Sequence, residues 1–372
     1  MKKILFIYGT RPEAIKMAPL VKLLQSNKLL DVSICITGQH KEMVEAINCT
    51  FEIKPNFDID VFKPGQSLSE LSAAIISKLK SVIETNAPDV VVVQGDTTSA
   101  FCGAYVGFLL GARVVHLEAG LRSENLRDPF PEEVNRKLIS QLTDLHLAPT
   151  SLAAENLIKE NVEPASIYVA GNTVIDALLY AKNKLPLFES ENRVRRILLT
   201  IHRRENLASG LGTILLAIAN LAENFPEVAF DFPMHPNPRI REKVIPALGH
   251  LQNVNLLEPL GYSEMIEKIN ASYLVLTDSG GLQEEAPALG KPVLVLRNTT
   301  ERPEGIHAGT ARLVGTETDN IINQVALLLN SKIDYDLMAR ASNPYGDGFA
   351  AQRAESAILE LLNHGARLPE FS

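Results

Sequence analysis

Two hydrophobic rhythms alternate along the chain. Short β-branched runs bounded by Gly, Asp or Pro recur, and amphipathic stretches of helical length separate them. In the first half the runs fall at 4–9, 32–38, 90–96, 113–120, 145–149 and 167–171. In the second half they fall at 197–202, 228–234, 254–258, 273–278, 293–297 and 313–315. Several are almost wholly apolar, Val90-Val91-Val92-Val93 for example, as strands covered on both faces must be. The segments 211–225 and 321–330 carry the helical spacing. Strand–helix alternation of this kind predicts parallel sheets with right-handed crossovers, hence an α/β chain of two doubly wound domains facing a cleft. The seam is expected near 171–176, and a second crossing near 343–348, where Asn343-Pro344-Tyr345-Gly346-Asp347-Gly348 breaks the pattern before one last helix. The expected domains are therefore 1–171, rejoined by a helix at about 350–372, and 172–349.

Composition narrows the partners. With 36 Lys+Arg against 44 Asp+Glu the 372-residue chain carries a net charge of −8, which argues against nucleic acid or an anionic membrane as partner. No apolar run approaches the ~18 residues of a membrane span. Lys2-Lys3 before 4–8 mimics a signal start, but that stretch runs straight into Gly9-Thr10-Arg11 and reads as a first strand. Three cysteines without a CxxC pattern speak against a disulfide framework or zinc site and fit a reducing cytoplasm.

Ligands of doubly wound sheets bind beyond the carboxyl ends of the strands, so the polar residues just after each run are the ones to weigh. The first run ends in Gly9-Thr10-Arg11-Pro12-Glu13, a capping box opening a helix whose free N–H groups, with Arg11 and Lys16, make an anion site; the alternative is a capped helix with surface cations. Ser279-Gly280-Gly281 repeats the device after 273–278, before a helix expected to begin near Leu282, with Glu285 one turn in and able to accept from ribose hydroxyls. Gly346-Asp347-Gly348-Phe349-Ala350-Ala351 fits a dinucleotide pattern only formally, because no strand precedes it, and no P-loop is present. Asp96 follows a buried strand, where an acid is most often a helix cap; Glu118 follows the next, and Glu is a poor cap. Glu132-Glu133 open a further helix, where one acid could simply complement the dipole. Three acids from neighbouring strand ends suit general acid/base work. His202 and His235 each end a strand, and Arg302 follows another; each of these has a plain structural alternative.

Taken in order, these stretches resemble the non-hydrolysing UDP-N-acetylglucosamine 2-epimerase family. The matching motifs run from Gly9-Thr10-Arg11-Pro12-Glu13-Ala14-Ile15-Lys16 through Gly95-Asp96-Thr97-Thr98, Glu118-Ala119-Gly120-Leu121-Arg122, Pro131-Glu132-Glu133 with Asn135-Arg136, and Gly171-Asn172-Thr173-Val174-Ile175-Asp176. They continue with His202-Arg203-Arg204-Glu205, Asp278-Ser279-Gly280-Gly281, Gln283-Glu284-Glu285-Ala286-Pro287, Thr299-Thr300-Glu301-Arg302-Pro303-Glu304 and 343–348. The resemblance implies two Rossmann-like domains in the GT-B arrangement. It also implies interconversion of UDP-GlcNAc and UDP-ManNAc without an external cofactor, in a cytoplasmic homodimer. It implies that Ser279, Gly280 and Gly281 hold the diphosphate and Glu285 the ribose. Arg11, Lys16, Arg136, His235 and Arg302 would contact the UDP-N-acetylhexosamine, and Asp96, Glu118, Glu132 and His202 are the catalytic candidates.

The chain departs from the family pattern at Gln94, where some members have His, at Ile201, at Met265, and at Gly65, where some bacterial members carry an Arg at a regulatory site near Gln39-His40. Three readings compete: an epimerase of a related UDP-N-acetyl sugar, a hydrolysing epimerase, and a GT-B glycosyltransferase. The acid trio favours epimerisation, since a transferase has no need to strip a C2 proton.

Overall fold

The computed structural model describes residues 1–185, 194–203, 206 and 210–372. The chain divides into two compact units, Met1–Tyr180 with Gly346–Ser372, and Ala181–Tyr345. In chain order the first comprises β1 (Lys2–Tyr8), α1 (Arg11–Ser26), β2 (Leu30–Ile36), α2 (Lys41–Phe51), β3 (Phe57–Asp58), α3 (Leu68–Asn86), β4 (Val90–Gln94), α4 (Thr98–Leu109), β5 (Arg113–Leu117), α5 (Glu132–Ser140), β6 (Leu145–Ala148), α6 (Ser151–Lys159), β7 (Ile167–Val169) and most of α7 (Thr173–Lys184). The seven strands form one parallel sheet in the order β3-β2-β1-β4-β5-β6-β7. Strand order therefore reverses between β1 and β4, in register Ile4 to Val90, and the crevice outside that pair is where ligands of such sheets bind.

Val90 to Val93 are completely buried, as their unbroken apolar run requires. On one face, Ile75 and Leu79 of α3 and Ala100 and Ala104 of α4 pack over Leu5, Ile7, Val91 and Val93. Gly103 and Gly107, one turn apart on α4, let that helix lie close: a Cβ on either would stand 3.0 Å from the side chain of Val93 or Val91. The close seat sets where the N-terminus of α4, and with it the Gly95–Thr97 turn, emerges.

The second unit continues with β8 (Arg196–Thr200), α8 (Leu211–Asn224), β9 (Ala229–Pro233), α9 (Pro238–Leu248), β10 (Val254–Leu257), α10 (Tyr262–Ala271), β11 (Leu274–Thr277), α11 (Gly280–Ala288), β12 (Val293–Val295), α12 (Pro303–His307), β13 (Ala311–Leu313), α13 (Thr318–Asn330) and α14 (Lys332–Ala339). Its parallel sheet runs β10-β9-β8-β11-β12-β13, reversing between β8 and β11. Ile214, Ile218 and Leu221 of α8 and Ile321, Val325 and Leu328 of α13 bury the same face against Ile197, Leu199 and Phe230.

α15 (Ala350–Leu361) closes the chain and belongs to the first unit. Asp176 of α7 accepts from the backbone N–H groups of Ala350 at 3.3 Å and Ala351 at 2.8 Å, so it caps α15 from outside. That tie draws the start of α7 into the first unit, whose boundary lies at Tyr180 where the sequence pattern suggested 171. The first sheet has seven strands where six were expected. The added β3 is a two-residue edge strand, too short for a hydrophobic period to register. β13 ends at Leu313, the residue with which the expected run began. Among the described residues no helix is long and apolar enough to cross a membrane, and no three His, Cys, Asp or Glu side chains are grouped to hold a metal ion.

Candidate active site

In the first unit the strand ends on either side of the β1/β4 reversal are locked together by one buried acid. Glu13 is fully buried and accepts from Gly9 N at 3.0 Å, Thr10 N at 2.7 Å and the Thr10 hydroxyl at 2.8 Å. Its second oxygen accepts from the Thr97 hydroxyl at 2.6 Å, across the sheet reversal. Burial pushes the Glu13 carboxyl up despite these four donors. Thr97 in turn caps α4, accepting from Ala100 N at 3.0 Å. Asp96 is thus not the cap of this helix, and its carboxylate is left for other work.

That carboxylate ion-pairs with Arg136 at 2.6 Å. The turn beneath it is held by two more elements. Asn135 of α5 donates to Asp96 O at 2.8 Å, and His116 Nε2 meets Gly95 O at 2.7 Å. Gly95 sits at φ +67, in the left-handed region open to glycine. Burial drives the His116 imidazole down to about 3, so the ring is neutral and donates through Nε2.

Glu118 follows β5 with φ +63, a conformation rarely adopted by a residue with a Cβ. It forms a close ion pair with Lys16 of α1, and accepts from Gln94 Nε2 at 3.2 Å and Asn172 Nδ2 at 3.5 Å. Glu132 is the first residue of α5 and half-buried. Asp96, Glu118, Glu132 and Lys16 line one cavity of about 330 Å³ together with Glu13, Gln94, Thr97, Gln39 and His40. Arg11 is exposed, near enough for its charge to add to burial in lowering His40. Arg136, expected against the substrate, has both terminal nitrogens on acids: Nη2 on Asp96 and Nη1 on Glu133 at 2.9 Å.

The second unit builds its strand ends around Asp278, which is wholly buried at the end of β11. It accepts from His202 N at 3.1 Å, Arg203 N at 2.9 Å and Asn206 Nδ2 at 2.9 Å, and His202 Nδ1 lies 3.2 Å from its carboxylate. The acid fixes the β8 exit and orients the half-exposed His202 ring. Ser279 stands at the N-cap position of α11 without a side-chain hydrogen bond to it, and the first residues of the helix are Gly280 and Gly281. The helix therefore starts two residues before the expected Leu282, since glycines that read as a turn are its first turn. Its free N–H groups and positive dipole end face the same side as the β11 terminus.

Gln283 donates to Ser279 O at 3.1 Å and accepts from Thr300 at 2.6 Å; Thr300 accepts from Arg302 N at 3.0 Å. Arg302 also pairs closely with buried Glu284. Arg203 meets Glu301 at 2.5 Å, and Arg297 pairs with the same acid; burial pushes Glu301 up, but these cations and Arg302 carry it below its usual range. Glu285 is half-buried, and its charge adds to burial in pushing the Tyr262 phenol up. His235 is half-buried at the end of β9, with Nδ1 accepting from Asn237 N at 3.1 Å. Arg204 and Glu205 of the His202 motif lie outside the described residues.

Comparison with known proteins shows the family. The family model described as UDP-N-acetylglucosamine 2-epimerase matches residues 22–359. The Escherichia coli (strain K12) protein named UDP-N-acetylglucosamine 2-epimerase is 43% identical, over 97% of this chain and 98% of that one. The chain belongs to the UDP-N-acetylglucosamine 2-epimerase family. Two solved structures extend the likeness to the fold. A putative UDP-N-acetylglucosamine 2-epimerase from Listeria monocytogenes superposes with a TM-score of 0.92 at 42% identity, over 100% of both chains. The UDP-GlcNAc 2-epimerase from Neisseria meningitidis bound to UDP-GlcNAc gives 0.87 at 43%, over 96% of this chain and 100% of that one.

Within this family fold, the sequence reading passed over Glu13 as a bridge, Asn172 and Gln94 on Glu118, and Glu133 as the second partner of Arg136. Glu133 and Arg136 are three apart on α5, and that spacing was the available signal. Nothing in the linear pattern couples Glu13 to Thr97, which meet only once β1 and β4 pair.

Proposed function

We propose that the protein interconverts UDP-GlcNAc and UDP-ManNAc by eliminating UDP and adding it back. The observation that carries this reading is the gathering of Asp96, Glu118 and Glu132, from two strand ends and a helix start, around one cavity with Lys16. The C2–H of a hexosamine is weakly acidic and has no adjacent carbonyl to accept its electrons. Removing it is feasible when the C1–O bond to UDP breaks as the C1=C2 bond forms, giving 2-acetamidoglucal and UDP. In the return step a UDP phosphate oxygen bonds C1 and a proton reaches C2 from the other face, so atoms balance and nothing is consumed.

Asp96, Glu118 and Glu132 are assigned to the proton transfers, with Lys16 stabilising Glu118 as an anion. The departing diphosphate is assigned to Ser279, Gly280 and Gly281, where a helix N-terminus supplies N–H donors, with Arg11, His235 and Arg302 adding charge or hydrogen bonds. Glu285 is assigned to the ribose and His202, steadied by Asp278, to the reacting end of the diphosphate. The family relatives' names and the UDP-GlcNAc held by the meningococcal structure support the substrate. Proton NMR of the protein with UDP-GlcNAc in D2O tests the whole reading. UDP-ManNAc deuterated at C2, with little free UDP, is the expected result. Accumulating UDP with free ManNAc would move the chain to a hydrolysing epimerase, and an unchanged spectrum would refute the substrate.

A further inference from the structure

Arg136 lies between two carboxylates that differ sharply in surroundings. Asp96 is about a quarter exposed at the cavity, whereas Glu133 has no exposed side-chain surface. Glu133 Oε2 accepts from Ser123 N at 3.0 Å and Arg136 Nη1 at 2.9 Å, and its other oxygen is buried with no hydrogen-bond partner among the described residues. A buried carboxylate so incompletely satisfied is costly to keep unless its charge has a task. The cation it faces is the one holding Asp96, and the guanidinium fork is rigid, so fixing one tine fixes the direction of the other. Asn135, the preceding residue on α5, pins the Asp96 backbone at the same time.

We infer that Glu133 and Arg136 are positioning residues for Asp96: Glu133 anchors the Arg136 fork and balances its charge, and Arg136 holds the Asp96 carboxylate at the angle from which it exchanges a proton with C2. Arg136 acts on the sugar only through Asp96 and is not a ligand of the nucleotide. This rests on the epimerase reading, and the two are separated by first recording UDP-GlcNAc turnover and C2 deuteration by the unaltered protein. Absence of both there would refute the reading itself and, with it, this role.

With the unaltered protein active, Glu133→Gln and Arg136→Lys are each expected to lower kcat by about 30-fold, less than the ~10²–10⁴-fold of losing an acid or base outright, while KM for UDP-GlcNAc stays within about 3-fold. Glu133→Asp, which keeps the charge on a shorter arm, should recover part of the loss. Since both residues act through one carboxylate, the double variant should be no slower than the slower single variant. A KM that rises while kcat holds would make Arg136 a substrate ligand and overturn the inference. So would losses that multiply in the double variant, or a Glu133→Asp as slow as Glu133→Gln. Should Glu133→Gln not fold, the kcat-against-KM split of Arg136→Lys decides alone, since loss of packing would not spare KM while removing turnover.

Discussion

The two sheets end in the same topology and use it for opposite electrostatics. At the β1/β4 reversal four acids, Glu13, Asp96, Glu118 and Glu132, line a cavity, and two of them are paired with cations from their own unit, Glu118 with Lys16 and Asp96 with Arg136. At the β8/β11 reversal the buried acid Asp278 is turned inward onto backbone N–H groups, and what the loop presents outward is a glycine-rich helix start. Under the function proposed above, one strand-end crevice moves protons and the other receives an anion. The same fold position thus presents two different surfaces, depending on whether its carboxylate faces the cavity or the chain.

The sharpest way to break this contrast is to neutralise the cavity acids. Asp96→Asn or Glu118→Gln should lower turnover by at least ~10²–10⁴-fold while UDP affinity by calorimetry stays within about 3-fold of the unaltered protein. Equal loss of both would dissolve the division of labour. Gly281→Val attacks the other side. The nearest atom to a Cβ there is Ser279 Oγ at 3.9 Å, so the chain should fold while the new methyls obstruct the helix start. We expect KM to rise by roughly 30-fold with a far smaller change in kcat, and unchanged kinetics would remove the anion from that site.

Lys16→Met probes the pairing itself. Breaking a buried pair from one side costs ~3–5 kcal/mol, and with both partners slightly exposed we expect about 2 to 3 kcal/mol by urea denaturation. A value near zero would mean that Glu118 is carried by its other partners, Gln94 and Asn172 among them.

The smallest effect is in pH. His116 titrates near 3 in the fold against 6.5 as its ordinary value. Below pH 6.5 the unfolded chain therefore takes up a proton that the folded one refuses, and His116 subtracts stability as pH falls from there towards 3. Asp176, raised by burial to about 6 from 3.8, has the opposite sign. Its contribution is fully present below about 4 and is lost as pH rises through 6. Thermal melts from pH 4 to 7 should show His116→Gln flattening the acid decline and Asp176→Asn steepening it. The same slope in both variants would contradict the burial of one of the two groups.

Most of the fold was legible because a buried parallel strand has few ways to be written, and Val90 to Val93 announce one. The candidate acids were legible for a related reason, since they stand directly after such runs. What stayed hidden depended on pairing across the sheet. Thr97 displaced Asp96 as the α4 cap, and local propensity alone ranks Asp above Thr there. The Glu13–Thr97 bridge joins residues 84 apart, and the outcome for Arg136 required knowing that α5 sets Glu133 and Asp96 on either side of it.

Glu118 has one more implication. Its left-handed backbone is of a kind that costs on the order of 1 kcal/mol or more in a residue other than Gly, and a glycine would relieve it at once. The backbone strain is offset by the partners that the side chain holds, Lys16 above all. Glu118→Gly would shed that strain but also break the ion pair with Lys16 and the hydrogen bonds from Gln94 and Asn172, so the glycine chain should be the less durable one. The strained residue at the end of β5 is thus a knot in the chain, its awkward backbone kept in place by what its side chain ties together.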